Sequence, residues 1–171
     1  PRDWLLASGM IPQDLTETWE TTVDLALQGV KNRLEIIRAK QIRLHGDCHA
    51  GNILWTHEGP HFVDLDDARM GPAVQDLWML LAGDRQTATR QLRALLEGYE
   101  SFHAFNREEL GLIEPLRTLR LVHYSAWIAR RWGDPAFPAA FPWFGTNRYW
   151  QDRILELREQ TSAMSEEPLS A

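Results

Sequence analysis

Three oxygen-bearing side chains, Asp47, Asn52 and Asp64, stand out in a chain of 171 residues by their type and spacing. The first two belong to the run His45-Gly46-Asp47-Cys48-His49-Ala50-Gly51-Asn52, and the third closes the apolar run Phe62-Val63. Phosphoryl transfer demands little covalent chemistry of a protein. It needs one carboxylate to orient the attacking hydroxyl and take its proton, and oxygen ligands that hold Mg²⁺ on the phosphates. Asp47 suits the first task. Asn52 and Asp64 suit the second, because an amide carbonyl and a carboxylate are both competent ligands for a hard cation. Gly46 and Gly51 let the short loop fold tightly enough for Asp47 and Asn52 to point into one site. His45 is expected to order the loop by hydrogen bonding, and His49 to sit beside the phosphates or the loop backbone. Asp66 lies two positions beyond Asp64 and shares its face if a strand continues that far. It is expected either to support the metal site from behind or to bond an arginine such as Arg69.

Two rival chemistries fit less well. His45 and His49 stand four apart, as a zinc pair on a helix would, but Gly46 and Gly51 oppose a helix and no general-base Glu accompanies them. Cys48 has His49 beside it, yet adjacent side chains rarely aim at each other and no third group orients the pair. Cys48 therefore reads as a small packing residue.

The spacing His-x-Asp-x-x-x-x-Asn followed by an Asp matches the kinase catalytic loop, with Gly46 where protein kinases usually carry Arg. With His49 and the run Asp64-Leu65-Asp66-Asp67-Ala68, the chain resembles the aminoglycoside phosphotransferase and choline kinase group. More narrowly, the stretch 44–81 resembles the bacterial stress response kinase A family, which is similar to that group in fold and acts on protein serine and threonine. The resemblance implies a protein kinase-like α+β fold, ATP as co-substrate with Mg²⁺, Asp47 as base and Asn52 and Asp64 as metal ligands. It also implies that Asp76, on the helix that follows, binds the catalytic-loop backbone. The implied acceptor is a protein hydroxyl. A small alcohol such as an aminoglycoside, choline or a homoserine-like compound is the alternative within the same chemistry, and a non-catalytic binding module is the alternative outside it.

The elements that must hold these residues follow from the apolar pattern. Leu15, Trp19, Val23, Leu27, Val30, Leu34 and Ile37 recur at helical steps and predict a helix from Asp14 to about Lys40, capped by Asp14 or Thr16. The catalytic loop is expected over 43–52. Two short strands, 53–55 and 61–64, should form a hairpin with Asp64 at the end of the second. Helices are expected over 74–81, from about Thr87 to Phe102, over 107–132 with a break near Pro115, and over 146–160. The stretch 133–145 reads as a structured loop, because Phe137, Phe141, Trp143 and Phe144 seek burial. The expected architecture is thus a mostly α-helical kinase C-terminal lobe over 1–160, with a small β-hairpin at its catalytic edge and a disordered tail over 161–171.

Bulk properties agree with a globular protein of this size. The net charge of −6 argues against a general nucleic-acid binder, and no apolar run reaches the ~20 residues that span a bilayer. One cysteine excludes an internal disulfide framework. A cytoplasmic protein is the simplest reading. The glycine-rich phosphate loop and strand lysine that kinases carry in an N-terminal lobe find no match: no Gly-x-Gly occurs, and Lys31 and Lys40 lie in helix-like sequence. The first residue is not Met. These residues are therefore expected to lack the N-terminal lobe and, taken alone, to be inactive.

Overall fold

A computed structural model describes residues 1–170. The chain divides into two units, one formed by 1–35 with 114–166 and the other by 36–113 with the residues from 167 onward.

The first unit is helical. It contains α1 (Arg2–Ala7), most of α2 (Thr16–Ile36) and of α5 (Ile113–Arg130), and α6 (Ala136–Ala140) and α7 (Asn147–Ala163). On α2, Trp19, Val23, Ala26 and Val30 are buried at three- and four-residue steps, so the amphipathic pattern sets the packed face. The helix ends four residues before the expected Lys40. Leu34 and Ile36, at its end, are 41% and 75% exposed. The proposed cap also differs, because the Thr16 hydroxyl donates back to the Pro12 carbonyl. Trp19 meets Trp150 of α7 edge-on at 6.2 Å between ring centroids, and Phe144 packs on Trp150 at 5.5 Å. Edge-to-face geometry of this kind suits the ring quadrupoles as well as burying area. The aromatic loop includes the short α6. It buries Phe144 fully but leaves Trp143 41% exposed, against expectation. Thr146 caps α7 by accepting from the Tyr149 amide. That helix continues past the expected end at 160 to Ala163, and Met164 beyond it is buried, its carbonyl accepting from the Arg33 guanidinium.

The second unit carries the strands. β1 (Ile42–Leu44) pairs antiparallel with β4 (Arg69–Gly71), and β2 (Ile53–Thr56) with β3 (Gly59–Phe62). The expected hairpin is β2–β3, with a tight turn at His57-Glu58. The β1–β4 ladder was not expected, and it takes residues 43 and 44 out of the loop. Its pairs lie 25 or more residues apart, so no local pattern announces it. Gly71 stands opposite Ile42 and leaves room for the Leu44 side chain, which a Cβ there would meet at 2.5 Å. α3 (Val74–Trp78) and α4 (Arg85–Glu100) follow, the latter capped by Asp84 accepting from the Thr87 amide. A 3₁₀ segment, Arg107–Leu112, then leads into α5. The break in the expected 107–132 helix thus falls before Ile113, and Pro115 sits in the first turn of α5, where its missing N–H costs no hydrogen bond.

Candidate active site

β1 delivers the chain into the site and ends at the buried Leu44. The next two amides, of His45 and Gly46, donate to the two carboxylate oxygens of Asp76 on α3, at 2.7 and 2.9 Å. Charge-assisted bonds from a carboxylate to two successive amides fix a loop more firmly than neutral ones. The loop can turn there because residue 46 is glycine. Its φ is +88°, and a Cβ would run into the Asp67 carbonyl oxygen. The Gly46 carbonyl in turn accepts from the Arg69 guanidinium at 3.0 Å and from the Gln75 amide at 3.4 Å. Arg69 is therefore committed to the loop backbone, and no bond joins it to Asp66.

Both histidines hold the loop through defined ring nitrogens. His45 Nε2 lies 2.8 Å from the Val63 carbonyl, and its Nδ1 is 3.4 Å from the Asp47 amide. The pair of contacts requires the proton on Nε2, since the carbonyl can only accept. The Nδ1 of His49 accepts from the Gly51 amide at 3.0 Å, which leaves its Nε2 toward Asp47, 3.5 Å from Oδ2. Both rings are thus engaged by groups of the loop and of the segment before Asp64. Cys48 is buried, and burial together with the nearby Asp76 and Asp47 pushes its thiol up to about 11. A thiol so poorly ionised is a packing group.

A 3₁₀ turn, Ala50–Asn52, brings Asn52 back onto the start of the loop. Its side-chain NH₂ donates to the Asp47 carbonyl at 3.0 Å. The amide is thereby oriented with its oxygen turned away from that bond, available as a ligand. The Asn52 carbonyl accepts from the Val63 amide at 3.0 Å, so the segment leading to Asp64 is tied directly to Asn52. Asp64 itself lies two residues past the end of β3 and is solvent-exposed, not at the end of an apolar strand as expected. Desolvation therefore says nothing about its role. What marks it is its backbone: it is the only non-glycine residue with positive φ among those described, at +63°. That conformation costs an L-residue on the order of 1–2 kcal/mol, and such outliers gather at functional sites. The strand does not continue to Asp66, so the shared face assumed for Asp64 and Asp66 does not exist, and Asp66 is exposed.

The arrangement unites Asp47, Asn52 and the base of Asp64 on one hydrogen-bonded backbone, with His45, His49 and Asp76 bracing it. The oxygens that could serve as donors, one amide and the carboxylates, suit a hard divalent cation better than a soft one. No spacing in the sequence marks Glu109, Gln75 or the loop-bound role of Arg69. Glu109 sits in an acidic pair at positions 108–109 that looks like solvated surface, yet it is 3% exposed.

Residues 3–113 match the phosphotransferase enzyme family. Over 128 residues the chain is 59% identical to stress response kinase A of Salmonella choleraesuis (strain SC-B67), to the serine/threonine protein kinase RdoA of Salmonella typhimurium (strain LT2) and to stress response kinase A of Escherichia coli (strain K12). Each match covers 75% of this chain and 39% of the relative's length.

Proposed function

The chain belongs to the phosphotransferase enzyme family, and from that membership we propose that it carries the catalytic half of an ATP- and Mg²⁺-dependent protein serine/threonine kinase. The observation that carries the reading is the Asp47–Asn52 bond with Val63 tied to Asn52, which gathers a base and two candidate ligands. In the proposed reaction the Asp47 carboxylate orients an acceptor hydroxyl and takes its proton as the hydroxyl oxygen bonds to the γ-phosphorus. The bond from that phosphorus to the bridging oxygen breaks, and ADP leaves. Asn52 and Asp64 would hold Mg²⁺, which supplies neutralisation of the phosphate charge. Asp76, His45 and His49 keep the loop rigid, so that little reorganisation accompanies the transfer.

The protein acceptor is taken from the named kinases that the chain resembles. Phosphate-cradling groups are proposed to come from a further lobe, and the exposed apolar side chains of Trp55, Phe62 and Met70 support a cover over this edge. These 171 residues alone are accordingly expected to show no transfer from radioactive ATP to protein above background. A cytoplasmic location is part of the proposal, on the ground that the reaction consumes ATP. No helix among the described residues is long and apolar enough to cross a membrane.

The test is acceptor choice by the full-length polypeptide. It is expected to label itself or a generic basic protein with radioactive phosphate, and to show no saturable ATP consumption with choline, homoserine or aminoglycosides. Efficient turnover of one of those alcohols without protein labelling would overturn the protein-kinase reading. Absence of any transfer would favour the non-catalytic module.

A further inference from the structure

Glu109 is the only charged side chain among the described residues that is buried to below a tenth of its surface. Burying a carboxylate is costly unless hydrogen bonds compensate it. Here the compensation comes from the start of α3. The Val74 amide donates to Glu109 Oε2 at 3.1 Å, and the neighbouring Ala73 amide also favours the ionised form. Ala73 occupies the N-cap position of α3 and has no side-chain oxygen with which to cap it. Glu109, reaching in from the Arg107–Leu112 segment 35 residues later, supplies that acceptor instead. Two residues after Val74, on the same short helix, Asp76 grips the amides of His45 and Gly46. A five-residue helix has little rigidity of its own, so its setting depends on what anchors its ends.

We propose that Glu109 is a positioning residue: by holding the Val74 amide at the start of α3 it sets the Asp76 carboxylate, which holds the loop that aims Asp47. The proposal rests on the reading of Asp47 as the proton acceptor, and it acts entirely through Asp76. Loss of Glu109 should therefore leave nucleotide binding intact and slow the chemical step. Misplacement of a catalytic group by about 1 Å costs on the order of a hundredfold.

The experiment compares full-length wild type, Glu109→Gln, Glu109→Ala, Asp76→Asn and the Glu109→Gln/Asp76→Asn double variant. Two readouts are taken: steady-state kinetics, and amide hydrogen exchange across residues 45–47. Glu109→Gln, nearly isosteric, decides the matter if the alanine variant does not fold. The expected result is a kcat lowered about tenfold to a hundredfold with the KM for ATP within about twofold, and faster exchange at His45 and Gly46. The double variant should be no slower than Asp76→Asn alone, since both changes break one chain of contacts. Unchanged exchange at His45 and Gly46 would overturn the link whatever the catalysis. Faster exchange with wild-type kcat, or effects on kcat that multiply in the double variant, would overturn the positioning role. Failure of the base assignment looks different: Asp47→Asn would then be fully active while the exchange result still stands.

Discussion

Asp64 shows how much a single residue's conformation adds to its identity. Its type and spacing are readable in the sequence, but the place expected for it at the end of the second strand does not hold in the fold, where it lies exposed two residues past β3. What marks it is the left-handed backbone at +63°. If Asp64 is a metal ligand, Asp64→Asn should weaken Mg²⁺-dependent nucleotide binding by at least the ~10- to 100-fold seen when a group behind a ligand is lost. Asn tolerates positive φ, so the thermal midpoint should hardly move. Titration calorimetry showing equal metal affinity in wild type and variant would remove Asp64 from the metal site. Cys48 makes the opposite case, since a cysteine beside the proposed base Asp47 invites a reactive role. Buried and raised to about 11, it should resist iodoacetamide at pH 7.5 in the native protein and react fully only after unfolding. Rapid native alkylation would show that the loop opens or that the thiol is activated. Glu109 could not have been recognised from sequence, because its meaning comes from amides 35 residues away.

Among the elements, the loop over 45–52 was legible and its supports were not. His45 to Asn52 form a local motif whose spacing survives folding, whereas β1 and β4 are three residues each and pair across a long gap. Contacts of that kind leave no periodic signal. The same gap hides why Gly46 must be glycine: the obstacle is the Asp67 carbonyl, beyond the whole β2–β3 hairpin. Gly46→Ala should lose roughly 1–2 kcal/mol from the left-handed backbone alone, with more from displacing the Asp67 carbonyl. Because the two amides held by Asp76 lie at this point, activity should fall along with the thermal midpoint. A variant with wild-type melting and turnover would mean that the loop rearranges freely and that its geometry is not what positions Asp47. Leu34 and Ile37 continue the apolar spacing and point to a helix reaching Lys40, but Leu34 and Ile36 are exposed and α2 stops at Ile36. Periodicity records an apolar face and not whether a partner covers it.

At the scale of the whole molecule, the helical unit and the strand-bearing unit each have their own packing, and the chain spans 39% of the length of the kinases it matches. The mostly helical composition with a hairpin beside the 45–52 loop was legible. The division of the chain into units was not, because 114–166 return to the unit begun by 1–35. Global stability should report the buried Glu109. Burial raises its carboxyl above 4.5, and the backbone bonds to Val74 and Ala73 only partly oppose this. A raised folded value means that the folded state binds the proton more tightly than the unfolded one. The contribution is then fully present below about pH 4.5 and is lost as pH rises through the folded value. Urea unfolding of wild type and Glu109→Gln across this window should show the decline in wild type only, and parallel curves would contradict it. The central claim is that Asp47 accepts the proton of the attacking hydroxyl. Its most direct test is single-turnover transfer of radioactive γ-phosphate to a protein acceptor by full-length wild type and Asp47→Asn, at saturating ATP and Mg²⁺. The predicted result is unchanged nucleotide binding with transfer slowed by about 10²–10⁴. Transfer by Asp47→Asn at the wild-type rate would contradict it.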